Sequence, residues 1–156
     1  MASTTFSGPV TSTNGFISGS GSVVSLSSDV SLTSASHAGR VMLLDNSAGG
    51  LTATLPAASG SGNVYKFFVK GTLASGNYVI QLSGSDTMSG VAVVANDDGD
   101  SANIFQTASD SSTITLDGST KGGILGGMVE LQDLYSGKYL VKIHQSATDA
   151  EATPFS

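Results

Sequence analysis

Residues 51–70, LTATLPAASGSGNVYKFFVK, decide how the chain folds. Leu51, Ala53 and Leu55 alternate with Thr52 and Thr54, the period-two signature of a strand with one buried face. Pro56 ends that strand because it has no N–H to give a ladder. The small residues 57–62 form a loop. In the second half Tyr65, Phe67 and Val69 share one face, while Val64, Lys66, Phe68 and Lys70 share the other. The stretch predicts two strands of one β core, joined by a Pro/Gly/Ser connection.

Composition extends this reading to the whole chain. A length of 156 residues suits one domain with a possible appendage. There are 20 glycines, abundant Ser and Thr, and few helix formers, which predicts an all-β protein. The expected architecture is a compact antiparallel β-sandwich, jelly roll or small barrel. The absence of cysteine removes disulfides and thiolate metal sites and fits a reducing compartment. No run has the length of a membrane-spanning helix, and the opening residues lack a basic and an apolar signal region. No membrane partner is expected. The net charge is −6, and the six basic residues (Arg40, Lys66, Lys70, Lys121, Lys138, Lys142) are scattered. A nucleic-acid surface needs a basic stripe to displace counterions, so no nucleic-acid partner is expected either.

Three segments follow. Residues 1–28 carry no charged side chain, Asp29 being the first. Ordering their backbone costs more than their seven spaced apolar side chains return on burial. This segment reads as an N-terminal arm that takes its shape from a larger neighbour, by adding a strand to a sheet edge. Phe6, Pro9, Val10, Phe16 and Ile17 are its candidate anchors, with Pro9 limiting strand addition locally. Residues 29–145 form the β domain. Its first core strand lies at 40–45, and Tyr78, Ile80 and Leu82 share a face of another. A turn at 84–90 precedes a strand at 91–95; a turn at 96–100 precedes one at 102–107. Ile114 and Leu116 point inward, and the Gly-rich stretch 118–127 is expected to be flexible. Residues 128–134 and 138–145 make a hairpin around Tyr135-Ser136-Gly137, with Gly137 left-handed. That register sets Val129 against Ile143, Leu131 against Val141, and Glu130 against Lys142. Residues 146–156 are expected to fray.

Chemistry-bearing patterns are sparse. His144 falls on the outward face with Lys142, and His37 lies in a Ser/Ala-rich link. Residues 122–127 lack the Lys-Ser/Thr that a phosphate loop needs. Asn96, Asp98 and Asp100 resemble the start of a calcium loop, but Ser101 and Thr107 stand where Gly and a bidentate Glu are required. No catalytic, cofactor-binding or metal residues are assigned, and no enzymatic activity is expected.

Four stretches, MASTTFSGPVTSTNGF, TLPAASGSGNVYKFFV, SGSDTMSG and VELQDLYSGKYLV, resemble head decoration (cement) proteins of tailed bacteriophages, of the type found in phages of marine bacteria and cyanobacteria. The resemblance implies an all-β subunit, usually a homotrimer, seated on the outer capsid surface of the virion after assembly in the host cytoplasm. It implies the major capsid protein as partner and stabilisation of the DNA-filled head as role. The alternative is a receptor- or glycan-binding domain of a phage tail fibre or head fibre.

Overall fold

The computed structural model describes residues 23–96, 101–148 and 150–156. Short amphipathic segments punctuated by Gly, Ser and Pro give eleven strands and one helical turn among these residues. In order they are β1 (Val23–Leu26), β2 (Val30–Ser31), α1 (Ser34–His37), β3 (Val41–Leu44), β4 (Gly50–Thr54), β5 (Val64–Val69) and β6 (Asn77–Gln81). Then come β7 (Thr87–Asn96), β8 (Ala102–Gln106), β9 (Thr113–Leu116), β10 (Met128–Tyr135) and β11 (Lys138–Ala147). The single helical turn is started by Thr33, whose hydroxyl accepts from the Ser36 amide at 3.3 Å.

The all-β expectation holds. The strands form a seven-stranded sheet, ordered β1-β3-β5-β10-β11-β7-β8, and a four-stranded sheet, ordered β2-β4-β6-β9. The sheets are mixed rather than antiparallel, because β1–β3, β3–β5, β2–β4, β4–β6 and β7–β11 all pair parallel. The reason lies in the connectivity. From β1 to β6 the chain alternates between the sheets, odd strands entering the large one and even strands the small one. Each strand in one sheet thus serves as the crossover between two parallel strands of the other. This half of the molecule is a two-walled coil of three turns.

Inward side chains of both walls make one core. Tyr65, Phe67 and Val69 are buried as the alternation predicts, as are Tyr78, Ile80, Ile114, Leu116, Val129, Leu131, Val141 and Ile143. Tyr65 and Tyr139 meet edge to face with ring centroids 6.4 Å apart. The quoted stretch does give two core strands, but β4 and β5 lie in opposite walls, and residues 55–63 carry the chain across.

Several expectations need correction. Of residues 1–28, only 23–28 are described, and Val23–Leu26 is a core-sheet strand with Leu26 buried. The strand expected at 91–95 begins earlier, at Thr87, because Gly90 lets β7 approach β11 closely; a Cβ there would run into the Val141 carbonyl. In the hairpin the expected pairs form, but Tyr135 pairs with Lys138, so the turn is Ser136-Gly137 and the register shifts at Leu134. The Gly-rich stretch is pinned rather than loose. Asp117 accepts from the Ser119 and Lys121 amides, Leu73 donates to Gly123, and the buried Gln145 accepts from the Gly123 amide. The end of the chain does not fray. Phe155 is buried and bridges Ile114, and the Ser156 carbonyl accepts from the Ser112 and Thr113 amides.

Because Leu131 is fully buried between the walls and Leu134 is half exposed, Leu131→Ala is expected to cost about 2–5 kcal/mol and Leu134→Ala within about 0.5 kcal/mol. Urea unfolding followed by tyrosine fluorescence measures both; equal losses would place the core elsewhere.

Candidate interaction face

Register carries the outward side chains of the large sheet into two rows that cross all seven strands. One row reads Val23, Val41, Lys66, Glu130, Lys142, Val91, Gln106; the next reads Ser25, Leu43, Phe68, Met128, His144, Val93, Ile104. Val23, Val41, Val91, Met128 and Ile104 are among the few large apolar side chains left exposed, Ile104 at 70%. Leu125, 61% exposed, borders the same surface beside Val93 and His144. With strands about 4.8 Å apart and rows about 7 Å apart, the band covers roughly 300–400 Å². An apolar patch of this size matches the largest on a typical monomer, where it is often a functional surface.

Charge on this face is local and paired. Glu130 sits between Lys66 at 3.4 Å and Lys142 at 3.5 Å, so the expected Glu130–Lys142 pair is present and Lys66 joins it. At the rim Lys70 bonds Asp45 at 2.6 Å, and the Ser25 hydroxyl bonds the same carboxylate at 2.7 Å. Lys70 first, then Ser25, hold the Asp45 carboxyl below its ordinary value. His144 is exposed in the second row, as its alternation with Lys142 predicts. The small sheet turns a different surface outward. Ser31, Thr54, Gln81 and Thr113 form one of its rows, Thr52, Val79 and Thr115 another, and Gln81 donates to the Thr54 hydroxyl at 2.8 Å. One outer face is therefore apolar with paired charge, the other largely hydroxyl and amide.

The most elaborate polar cluster is structural. Asp133 is buried on β10 and accepts from the amides of Ser59, Gly60 and Ser61 and from the hydroxyls of Ser59 and Ser61, at 2.6–3.1 Å. This clasp fixes the β4–β5 connection onto the large sheet. Burial pushes the carboxyl up, but the Ser61 hydroxyl and the Gly60, Ser61 and Ser59 amides outweigh it and hold the group at about 2. The clasp's amide and hydroxyl donors converge on Asp133, and the cluster holds the loop in place.

The five arm residues singled out from the sequence, Phe6, Pro9, Val10, Phe16 and Ile17, lie outside the described residues, as do residues 97–100 of the calcium-like loop. His37 caps its own helical turn, its Nδ1 accepting from the Thr33 amide at 3.0 Å. Among the described residues no three His, Asp or Glu side chains gather as a metal site, and no helix is long and apolar enough to cross a membrane. Periodicity alone marks Phe68 and His144 as outward. It does not reveal the band, since Ile104, Met128 and Leu43 become neighbours only once the strand order is known. No protein-family model, curated protein or solved structure matches the chain.

The lowered folded pKa of Asp133 makes the clasp a pH-dependent element. Its contribution is complete above the unfolded value near 3.9 and is lost as pH falls through about 2. Acid titration of stability is expected to show a loss of roughly 2 kcal/mol over that window. Asp133→Asn is expected to lower stability at pH 7 and flatten the slope between pH 4 and 2; an unchanged slope would exclude the clasp as its source.

Proposed function

We propose that this protein is a structural, non-enzymatic virion subunit that decorates the outer surface of a phage capsid and ties neighbouring major capsid subunits together. The observation that carries the reading is the apolar band on the outer face of the large sheet. It is preformed, interrupted on its central strands by the paired charges of Lys66, Glu130 and Lys142 and bordered by the Lys70–Asp45 pair, a mixture of apolar and polar surface such as protein interfaces carry. At roughly 300–400 Å² it supplies the centre of a standard contact, which covers about 800 Å² per partner. A rigid β body with hydrogen-bonded loops transmits load between the subunits it bridges. The resemblance in sequence to phage cement proteins supplies the class of partner, the homotrimeric state and the place on the virion. The glycan-binding alternative has one feature in its favour, the exposed ring of Tyr135 at the hairpin tip, which a sugar could stack on.

Co-sedimentation with expanded capsids built from the cognate major capsid protein tests the reading. The wild-type chain is expected to bind at a stoichiometry set by the lattice. Ile104→Asp and Met128→Asp are expected to abolish binding while leaving the β circular dichroism spectrum intact. Unchanged binding by both variants would refute the assigned face. Binding to a glycan array that is lost with Tyr135→Ala would favour the alternative.

A further inference from the structure

β1 and β2, consecutive in the chain, are the outermost strands of both sheets at the same end of the coil. Among the described residues nothing pairs with their outer sides. β2 is short, but neither strand carries a charge, a proline or a bulge to block pairing at its open edge. The end that β9 occupies is treated differently. There Thr115 donates to the Pro154 carbonyl and Thr113 to that of Ser156, so the last residues of the chain close the edge. Coils of stacked turns need a cap at each end.

The coil's repeat says what fits the open end. β2 and β4 are each followed by nine residues before the chain re-enters the large sheet at β3 and β5: residues 32–40, LTSASHAGR, and 55–63, LPAASGSGN. Both connections carry Ser at the fifth place and Gly at the eighth, and each is followed by Val. The two glycines, Gly39 and Gly62, share one left-handed conformation, with φ of 71° and 73°. The nine residues before β1 are 14–22, NGFISGSGS. Ser18, Gly21 and Val23 stand at the same three places. Just ahead of them Thr11-Ser12-Thr13 parallels Thr52-Ala53-Thr54 of β4.

We propose that the free edge of β2 is the docking site for residues 10–13 of the same chain, a segment outside the described residues, as one more parallel strand of the small sheet. The observed pairs Val30 with Ala53 and Ser31 with Thr54 extend to Ser12 with Val30 and Thr13 with Ser31. Val10 and Ser12 then face inward in line with Leu51 and Ala53, and Thr11 and Thr13 extend the hydroxyl rows of Thr52 and Thr54. The recurrence of the connections' Ser, Gly and Val places just ahead of β1 favours the chain's own segment over that of a neighbouring copy, and this departs from an arm spent on another subunit. The assignment is independent of the capsid-binding face, which lies on the other sheet.

The chain has no cysteine, so an introduced pair reports the register cleanly. Thr13→Cys with Ser31→Cys in the full-length protein places two thiols side by side on the outer face, within disulfide reach of adjacent strands. Mild oxidation is expected to give an intramolecular disulfide in the monomer, with loss of both free thiols by thiol titration and mass spectrometry. Ser12→Cys with Ser31→Cys, on opposite faces, is expected to keep its thiols. Disulfide-linked dimers from the first pair, free thiols in it, or equal cross-linking of both pairs would overturn the proposal. As a second measurement, Val10→Asp is expected to speed amide exchange across residues 29–32 and leave that of β10 unchanged. Unaltered exchange at 29–32 would also overturn it.

Discussion

Most strands here bury one face, and the opposite sheet is the surface that covers it. That constraint organises the molecule. A lone parallel sheet needs long crossovers, usually helices, to return the chain to the same end. This chain has almost no helix and uses the opposite wall as the return path. Each full turn therefore adds one strand to each sheet and a layer to the shared core, where Leu51, Ala53, Tyr65 and Phe67 from consecutive strands face one another from opposite walls.

Short polar side chains complete what burial begins. The walls are joined by loops rich in Gly and Ser, which contribute little apolar area and many backbone amides. Those amides are matched one by one to a few carboxylates and carbonyls. Asp133 takes three of them, Asp117 takes those of Ser119 and Lys121, and Asp86 takes that of Ala58 at 2.6 Å. Buried or half-buried amides without partners are costly, and here the acidic excess of the composition is partly spent on them. The same economy explains the glycines at 122 and 127, where any Cβ would strike the Gln145 side chain that holds the loop.

Local periodicity made much of the interior legible. Alternation in residues 64–69 and in the last hairpin placed Tyr65, Phe67, Val129, Leu131, Val141 and Ile143 inward, and it paired Glu130 with Lys142. It could not say which sheet a strand joins, because β4 and β5 read alike whether they pair or face each other. Nor could it see that Gln145, Asp133 and Phe155 anchor loops, since their partners lie dozens of residues away. The candidate face suffers the same blindness. Each of its apolar members looks like an ordinary outward residue of one strand, and only the seven-strand order turns them into a row. Small residues misled in the other direction: glycine at 90 and through 118–127 signals slack in a sequence, whereas here it permits close approach.

The large sheet is also assembled out of sequence order. β10 and β11 sit at its middle, between β5 and β7, although they are the last strands of the chain to be made. As the polypeptide leaves the ribosome, the coil can wind from its beginning, but β7 and β8 have no neighbour to join until the final hairpin emerges and wedges itself between the halves. Such long-range closure makes for slow maturation. A nascent chain halted before residue 128 would hold two half-sheets with raw inner edges, the state in which this protein is most exposed to mispairing and to proteases.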